Sequence, residues 1–466
     1  MQVALLHRTI SDTSTLKDSL GKALAFIDTW LELKYRHTSY PGFNICIFRE
    51  GKILIDRSFG HADFDGQIPL RQEHIFRIGS LSKTYTALAV MHLQEKQVLD
   101  IGDPVIQYLP WLGKHADVRW EAITIKDLLT HTAGLCRNGP DSDFWNLTRA
   151  FPDDDELRDV VMAAELISEG KSKSLYSNLG YAILGQVVAT VSKSTYSEYV
   201  AKHIIEPMHL SNTSSDFVNV DASKLVSGHT LGQRGRARAP IPATGHTNTM
   251  SAAGGFCSTA FDVCKFYSSF LPGQASVISE QTKTAMRTLR DRRDTGSGCG
   301  LGVWKHSRKS PVFGHSGMYP GQQAVALCAP SENVVVAALA NCPDARTWDL
   351  AYGVVKIIEA FGRSSNTSKQ WKFEYSKFEG CFENCNSITQ VVWAGEMFMA
   401  VDPCLWYPFD AAVKLTPTAP DTLRFATPTG FNDPYDSIRY VFNSNNFAES
   451  IDYATITLKR WMSCDA

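Results

Sequence analysis

Apolar and polar positions follow two different spacings in the first part of the chain. Residues 14–38 place apolar side chains three and four positions apart, the spacing of an amphipathic helix. Two short apolar runs follow at Phe43–Phe48 and Ile53–Phe59, with the turn residues 50–52 between them. We therefore predict one helix followed by an antiparallel pair of strands.

Helical spacing dominates the middle of the chain. From about residue 100 to residue 240 the pattern predicts helices joined by long polar loops, with helices at Leu157–Ile167 and Gly180–Val191. Thr259 and Asp262 have the spacing of a capping box, which predicts another helix that continues through Phe270.

Strand-like runs return before a final helix. They lie at Leu301–Trp304, Gln323–Cys328 and Val334–Ala340, and the pattern at Trp348–Phe361 predicts a closing helix. Strands thus stand at both ends of this region with helices between them. We predict an α+β fold, an α/β sandwich in which one antiparallel sheet is flanked by helices and carries a helical inserted region.

The pattern changes after residue 363. Residues 364–371 are a polar linker, and residues 372–466 contain short alternating runs broken by turn residues. The runs are Val391–Trp393, Met397–Val401, Val413–Leu415, Leu423–Ala426, Ile438–Phe442 and Ala454–Leu458. They predict a small C-terminal antiparallel β-barrel, with a sandwich as the alternative. We thus expect one domain over 1–363, a linker over 364–371 and a second domain over 372–466.

Composition excludes several classes of partner. The 466 residues are 44% apolar and 20% charged, as in globular proteins, and their number favours two domains. The formal net charge of −2 gives no reason to expect nucleic acid or an anionic membrane as a partner. No run of about 18 consecutive apolar residues predicts a spanning helix.

Cysteine usage and the first residues favour a reducing compartment. The first eight residues lack the basic and apolar regions of a signal peptide. The eleven cysteines are an odd number without paired metal spacing, and the Cys381 and Cys385 pair has no second pair to complete a zinc site. We expect a cytoplasmic protein with free thiols, no metal and no cofactor.

The sequence Ser80-Leu81-Ser82-Lys83 is a candidate catalytic motif. It follows the extended apolar stretch 75–79 and precedes the helix-forming stretch 84–93. A lysine three residues after a serine lies on the same face of a helix, where it can activate the hydroxyl. The spacing alone is not specific, because Ser14, Ser19 and Ser168 also precede a lysine by three residues.

Two later motifs make the Ser80 motif specific. They are Tyr176-Ser177-Asn178 and Gly314-His315-Ser316-Gly317, and in this order the three motifs resemble those of the serine β-lactamase and penicillin-binding-protein superfamily. The stretches 129–135 and 253–259 are also similar to that family, and the resemblance covers about residues 40–360. The second motif is that of class C β-lactamases and of related esterases, D-aminopeptidases and acyltransferases. The C-terminal domain resembles the lipocalin-like domain attached to some of them.

The residue types indicate how acyl transfer would proceed. Ser80 would attack a carbonyl carbon and become acylated, with Lys83 or Tyr176 as the base. Burial would disfavour the ammonium form of Lys83, and a cationic Lys83 would lower the pKa of the Tyr176 phenol. The sequence leaves open which of the two takes the first proton. A triad that uses His131 is a weaker alternative, since that histidine lies in a stretch that resembles a structural loop of the family.

The resemblance implies further roles around the nucleophile. Asn178 would bind the substrate amide or Lys83, and the backbone N–H groups of Ser80 and Met318 would form the oxyanion hole. Gly317 would let the substrate backbone approach the strand that carries Ser316 and His315. His315 stands where β-lactamases carry a lysine, and a histidine is largely neutral at pH 7.

These expectations point to a serine acyl-enzyme hydrolase that acts on an ester or amide, either a small ester or a D-configured peptide. Three alternatives remain at this point. They are an acyltransferase of secondary metabolism, a β-lactamase, and a non-catalytic binding or assembly module with the same fold. The expected partner is a small-molecule or peptide-like substrate, and the oligomeric state stays open. Loops at 136–155 and 228–250 are expected to set the substrate.

Overall fold

The computed structural model divides the chain into two compact units. One unit includes Ser39–Ala351, and the other includes Asp12–Thr38 and Tyr352–Ala466. The structure describes residues 18–63, 65, 67–168, 174–217, 220–241, 245–289, 291–292, 298–306, 310–362, 375–384, 387–394, 397–426, 437–453 and 456–461. The predicted linker at 364–371 lies outside these residues, and the predicted domain boundaries stay a prediction.

Ten α-helices lie in the described residues. They are α1 Asp18–Arg36, α2 Ser82–Glu95, α3 Ile125–Leu129, α4 Asp154–Met162, α5 Asn178–Ser192, α6 Tyr196–Val200, α7 Ser251–Gly254, α8 Ala260–Ser268, α9 Glu280–Arg287 and α10 Thr347–Gly362. A turn of 3₁₀ helix at Gly79–Leu81 leads directly into α2.

Nine strands of the first unit form one antiparallel sheet. They are β1 Gly42–Arg49, β2 Lys52–Asp63, β3 Ile68–Pro69, β8 Asp291–Arg292, β9 Gly298–Cys299, β10 Trp304–His306, β11 Val312–Tyr319, β12 Gln322–Ala329 and β13 Val334–Ala340. Their order in the sheet is β3-β2-β1-β13-β12-β11-β10-β9-β8. The other four strands of the unit form two short pairs and are β4 Phe76–Arg77, β5 Gly228–His229, β6 Pro240–Ile241 and β7 Cys257–Ser258.

The core of the first unit lies between the sheet and its central helices. All seven residues of β13 are buried, as expected for a strand in the middle of a covered sheet. Helix α8 packs on β1, β12 and β13, and α2 lies against α5 and α7. The rings of Tyr85 on α2 and Phe266 on α8 stack with centroids 3.5 Å apart. The predicted antiparallel sheet with helices around it is confirmed.

The second unit contains a closed barrel of eight antiparallel strands. They follow one another in chain order as β14 Gly380–Glu383, β15 Ile388–Ala394, β16 Met397–Val401, β17 Val413–Ala419, β18 Thr422–Phe425, β19 Ser437–Phe442, β20 Ala448–Tyr453 and β21 Ile456–Arg460. Pairing of Phe382 with Arg460 closes the barrel. The predicted C-terminal barrel is confirmed, although β14 and β20 were not predicted. Strand β20 buries only Ala448 and Ile451, which is too weak a pattern to recognise.

Two predicted elements differ from the structure. The strand predicted at Leu301–Trp304 is wrong, because Gly302 bends the chain between β9 and β10 with φ +72°. A Cβ at Gly302 would lie 2.2 Å from the Ala87 Cβ, so only glycine lets this bend pack on α2. Helix α4 ends at Met162, before the predicted Ile167, because Leu166 forms a bridge with Leu135.

The predicted capping box at the start of α8 forms only in part. The Thr259 side chain accepts the Asp262 N–H at 3.2 Å, as predicted. The Asp262 carboxylate does not return to Thr259. Its Oδ2 accepts hydrogen bonds from the Asn212 N–H at 2.7 Å and the Thr213 hydroxyl at 3.0 Å. The first turn of α8 therefore also fixes the segment that follows α6.

A buried carboxyl on β2 makes the stability of the fold depend on pH. Asp56 is 7% exposed, and its Oδ1 has no hydrogen-bond partner among the described residues. Burial raises its pKa to about 7. The folded protein therefore keeps this proton between about pH 4 and pH 7 while the unfolded chain loses it, so stability falls as pH rises through that window.

Replacing Asp56 with Asn is expected to stabilise the protein more at pH 8 than at pH 5. At pH 8 the gain is on the order of 4 kcal/mol, since burial raises the pKa from 3.8 to about 7 and a pKa difference of one unit corresponds to about 1.4 kcal/mol. Denaturant unfolding of wild type and variant at the two pH values measures the difference. Asp65→Asn, at an exposed position, is the control. An equal change at both pH values would show that Asp56 does not cause the dependence.

Candidate functional site

The turn before α2 places Ser80 next to strand β11. Gly79 has φ +52°, and a Cβ there would lie 2.5 Å from the Met318 carbonyl oxygen. The Ser82 hydroxyl donates to the Gly79 carbonyl at 2.6 Å and accepts the Phe256 N–H at 3.0 Å. These contacts fix the turn, and the Ser80 N–H is among the donors that the start of a helix leaves unpaired.

Lys83 lies one turn along α2 and is completely buried. Its Nζ lies 3.1 Å from the Ser80 Oγ, 2.7 Å from the Asn178 Oδ1 and 2.6 Å from the Ala253 carbonyl oxygen. Burial lowers the pKa of Lys83 well below its ordinary value, and the cationic Arg137 lowers it further. A neutral amine has two N–H donors for Asn178 and Ala253. Its lone pair then faces the Ser80 hydroxyl.

The Tyr176 phenol completes the surroundings of Ser80. Its Oη donates to the Ser80 Oγ at 2.7 Å. The sequence predicted a lowered pKa for this phenol, and that direction is wrong, because burial raises it. The Lys83 Nζ lies 4.8 Å from the centroid of the Tyr176 ring. The resting site therefore holds a protonated phenol that donates a hydrogen bond to Ser80.

Asn178 is held by a residue that sequence reasoning missed. Asn178 begins α5, directly after Ser177, whose Oγ caps the helix by accepting the Gly180 N–H at 3.0 Å. The Asn178 Nδ2 donates to the Asn138 Oδ1 at 2.7 Å. This contact turns the Asn178 Oδ1 towards Lys83. Asn138 lies in an Asn-Gly-Pro sequence that resembles an ordinary turn, so its type gave no signal of this role.

His131 lies behind Tyr176, where it contacts the second motif. It is buried, and its ring centroid is 4.5 Å from that of Tyr176. The His131 Nδ1 accepts the Ser177 N–H at 3.1 Å. Burial lowers the pKa of His131 well below its ordinary value, and Lys83 and His315 lower it further. His131 is thus neutral and positions the Tyr176–Ser177 segment.

The third motif lies on β11, at the other side of Ser80. Pairing between β10 and β11 ends at Gly314, so the remainder of β11 faces the Ser80 turn. A Cβ at Gly317 would lie 1.9 Å from the Ile78 carbonyl oxygen, which requires glycine there. Ser316 and Met318 are exposed on this strand. The chain thus brings Ser316, Gly317 and Met318 beside the nucleophile, as the resemblance implied.

His315 is neutral in the folded protein. Burial lowers its pKa to about 3, and Lys83 contributes in the same direction. Its Nδ1 lies 2.6 Å from the Ser316 carbonyl oxygen. A carbonyl only accepts, so Nδ1 carries the hydrogen and Nε2 is an acceptor. His315 therefore does not supply the permanent positive charge that a lysine would supply here.

A buried ion pair positions the segment that reaches Lys83. Arg77 donates to the Asp216 Oδ1 at 3.1 Å, to the Gly255 carbonyl at 3.1 Å and to the Gly245 carbonyl. This segment includes Ala253, whose carbonyl accepts from Lys83. Neither residue was predicted, because their role depends on contacts between distant parts of the chain.

The residues around Ser80 line a cavity of about 580 Å³. It is lined by Ser80, Arg137, Tyr176, Trp304, His306, His315, Ser316, Gly317, Met318, Gln323, Thr347 and Trp348. Arg137 is the only Arg, Lys, Asp or Glu among these residues. Lys83 and Asn178 are not among the lining residues, and Lys83 contacts the cavity through Ser80.

Within the part of the chain that the structure describes, no three His, Cys, Asp or Glu side chains are grouped to hold a metal ion. The nine cysteines described there are free. No helix among the described residues is long and apolar enough to cross a membrane.

Comparison with known proteins identifies the family of the catalytic region. The β-lactamase family model matches residues 27–355. The chain is similar to protein flp from Staphylococcus aureus (strain NCTC 8325 / PS 47), with 24% identity over 322 residues, which are 68% of this chain and 62% of the relative. It is also similar to the teichoic acid D-alanine hydrolase of Staphylococcus aureus, with 28% identity over 39% of this chain and 43% of the relative.

Solved structures share the fold at low sequence identity. The octameric penicillin-binding protein homologue from Pyrococcus abyssi has a TM-score of 0.62 and 22% identity, over 95% of this chain and 100% of its own. EstCE1, a hydrolase with promiscuous acyltransferase activity, has a TM-score of 0.62 and 21% identity over 73% and 99%. A D-stereospecific amidohydrolase from Streptomyces sp. has a TM-score of 0.58 and 22% identity over 68% and 94%.

Proposed function

Because the chain belongs to the β-lactamase family of serine hydrolases, we propose that it hydrolyses carboxylic esters through an acyl-enzyme on Ser80. The observation that carries this proposal is the position of the Ser80 Oγ between two groups that handle protons. It lies 3.1 Å from the Lys83 Nζ and 2.7 Å from the Tyr176 Oη. A serine nucleophile needs a neighbouring base of this kind.

In the proposed acylation step, Lys83 is the base and Tyr176 is the acid. The neutral Lys83 amine takes the Ser80 proton while the Ser80 Oγ forms a bond to the carbonyl carbon. The N–H groups of Ser80 and Met318 stabilise the oxyanion. As the bond to the leaving alcohol breaks, Tyr176 donates its proton to that oxygen, and the proton held on Lys83 then restores the phenol.

The same groups support deacylation. A water molecule attacks the acyl carbon and gives its proton to Lys83 as the new bond forms. The bond to the Ser80 Oγ then breaks, and that oxygen takes a proton from Tyr176, its hydrogen-bond partner in the resting enzyme. The proton on Lys83 returns to Tyr176, and the products are a carboxylic acid and the starting enzyme.

The cavity favours esters over β-lactams and D-amino acid amides. His315 is neutral, so β11 lacks the lysine that would hold the carboxylate of a β-lactam. No Asp or Glu is among the described residues that line the cavity, so none of these residues offers a carboxylate to the ammonium group of a D-amino acid. An ester with an uncharged or anionic acyl group fits these surroundings better.

Acyl transfer is the second candidate. The acyl-enzyme would be the same, and the product would depend on whether water or a bound alcohol reaches it. A cavity of about 580 Å³ has room for an acceptor besides a small acyl group. EstCE1, which shares the fold, is described as a hydrolase with promiscuous acyltransferase activity.

Trapping of the acyl-enzyme tests the proposal. Wild type is mixed briefly with 4-nitrophenyl acetate, quenched in acid and measured by intact-protein mass spectrometry, followed by peptide mapping. We expect one acetyl group on Ser80, formed with the first turnover of nitrophenol. Added alcohols and amines distinguish transfer from hydrolysis by the product. Absence of an adduct with both this ester and a fluorophosphonate probe would overturn the proposal in favour of a non-catalytic binding module.

Removal of one phenol oxygen tests the proposed acid. Tyr176→Phe is expected to lower kcat/KM, which reports acylation, only slightly for 4-nitrophenyl acetate but by about 10² to 10⁴ for an alkyl acetate, because nitrophenolate leaves without a proton. Tyr181→Phe is the matched control. The Tyr181 Oη donates to the Leu129 carbonyl at 2.9 Å, so this control variant also removes one buried phenol oxygen. Equal losses for the two substrates would argue against an acid role for Tyr176.

A further inference from the structure

Among the described residues, the cavity around Ser80 carries one fixed positive charge, that of Arg137. Among the residues that line it, Arg137 is the only Arg, Lys, Asp or Glu. No carboxylate of the described residues lies within ion-pair distance of its guanidinium. His315 has a pKa of about 3, so it is neutral, and Lys83 is buried against three oxygens.

Arg137 is held in place from both its backbone and its side chain. Its carbonyl accepts the Asn178 N–H at 2.8 Å and the Leu179 N–H at 3.2 Å, at the start of α5. Its guanidinium carbon lies 5.6 Å from the centroid of the Tyr176 ring. A guanidinium over an aromatic face keeps its N–H donors free at its edge. The charge therefore lines the same cavity as the Ser80 oxygen and can still bind a ligand.

We propose that Arg137 binds an anionic group of the substrate, a carboxylate close to the scissile ester, and so sets the substrate class. This inference rests on the proposed function and specifies it. Arg137 lies on the wall formed by Tyr176 and α5, whereas the third motif lies on β11. The carboxylate would therefore bind beside Tyr176 and not at the β11 position that His315 occupies.

An anion at Arg137 would also affect the proton transfers. The positive charge of Arg137 disfavours the ammonium form of Lys83, which is the form that acylation produces. A bound carboxylate cancels much of that charge while the substrate occupies the site. The anionic substrate thus favours proton transfer from Ser80 to Lys83, and a cationic acyl group such as D-alanyl would meet the repulsion of Arg137 instead.

A pair of isosteric esters tests the charge preference. They are the 4-nitrophenyl monoester of succinic acid and 4-nitrophenyl 4-methylpentanoate, which has an isopropyl group in place of the carboxylate. For wild type we expect a higher kcat/KM with the succinate. Arg137→Gln is expected to lower that value about 10- to 100-fold, the usual effect of one charge-assisted hydrogen-bonded pair, and to change the neutral ester less than about threefold. Arg137→Lys should restore part of the loss.

Two controls test whether the effect is specific to Arg137 and which part of the substrate carries the carboxylate. Arg149→Gln removes a second arginine that lies over an aromatic ring, 5.1 Å from Phe144, and is expected to affect both esters equally. Acetates of 3-hydroxybenzoic acid and of its methyl ester show whether the carboxylate belongs to the leaving group. If Arg137→Gln lowers kcat/KM equally for the charged and the neutral ester of both pairs, the proposal is overturned.

Binding to an inactive enzyme separates this inference from the proposed hydrolysis. Calorimetry with Ser80→Ala and the monoanilide of succinic acid measures affinity without turnover. We expect binding that is at least tenfold weaker in Ser80→Ala/Arg137→Gln. If wild type cleaves no ester but this difference is seen, the hydrolase proposal fails and the anion site stands. If esters are cleaved and no difference appears by either measurement, the anion site fails alone.

Discussion

Replacement of Ser80 by Ala is expected to lower kcat/KM for ester hydrolysis by about 10⁵-fold or more, the range seen when an acyl-enzyme nucleophile is removed. The reason is geometric, because the Ser80 Oγ is the atom that lies within hydrogen-bond distance of both Lys83 and Tyr176. Without it the remaining groups have no oxygen to acylate. Steady-state rates with 4-nitrophenyl acetate, corrected for the uncatalysed reaction, measure the effect.

The Ser80→Ala protein should stay folded. The turn is held by Ser82, whose hydroxyl binds Gly79 and Phe256, and those bonds are unaffected. We expect the same circular dichroism spectrum and a melting temperature within a few degrees of wild type. If the folded variant kept a substantial part of the activity, a different nucleophile would have to be responsible.

Lys83→Met is expected to lower kcat/KM by about 10³ to 10⁴, as loss of a general base does. Methionine has a similar length and no charge, so it removes the base with little change in packing. Lys283→Met is a matched control, because Lys283 is also buried and donates to the Leu271 and Gln274 carbonyls. The control is expected to lose stability and to keep its activity per folded molecule. Similar activity losses in both variants would remove the case for Lys83 as the base.

The pH profile provides a second readout for Lys83. The lysine acts as a base only when neutral, and burial lowers its pKa. In wild type kcat/KM should therefore rise as pH increases through that lowered pKa and reach a plateau while an ordinary lysine is still charged. Lys83→Arg, which stays cationic, should show neither the rise nor the plateau. A wild-type profile that rises only above pH 10 would contradict a neutral Lys83.

Local spacing was sufficient to predict much of the fold and the centre of the site. The apolar runs of β1, β2, β12 and β13 and the helical spacing of α2 and α5 are strong because these elements are buried. The three motifs identified Ser80, Lys83 and Tyr176 as neighbours, and the structure places them together.

The remaining features depend on contacts between distant segments. The pKa of Tyr176 is raised because the fold buries the phenol, and the depth of that burial cannot be predicted from a motif. Asn138 contacts Asn178 from a loop whose sequence resembles an ordinary turn, and Ala253 on α7 contacts Lys83 through a backbone carbonyl, which no side-chain motif reveals. Gly302 was placed inside a strand because its neighbours are apolar, although its positive φ ends the strand. Arg137 was overlooked because a single charged residue in a polar loop gives no signal of a binding role.

The contact between Gly317 and Ile78 limits how the enzyme can be redesigned. Beside Ser80 the backbones of Gly317 and Ile78 contact each other directly. The width of the cleft there cannot therefore be changed by enlarging or trimming a side chain. Libraries aimed at new substrates would therefore gain little from positions 79 and 317. Variation is better directed at the side chains around the rest of the cavity, such as Trp304, Met318 and Gln323, where size and polarity can change without moving the reacting oxygen.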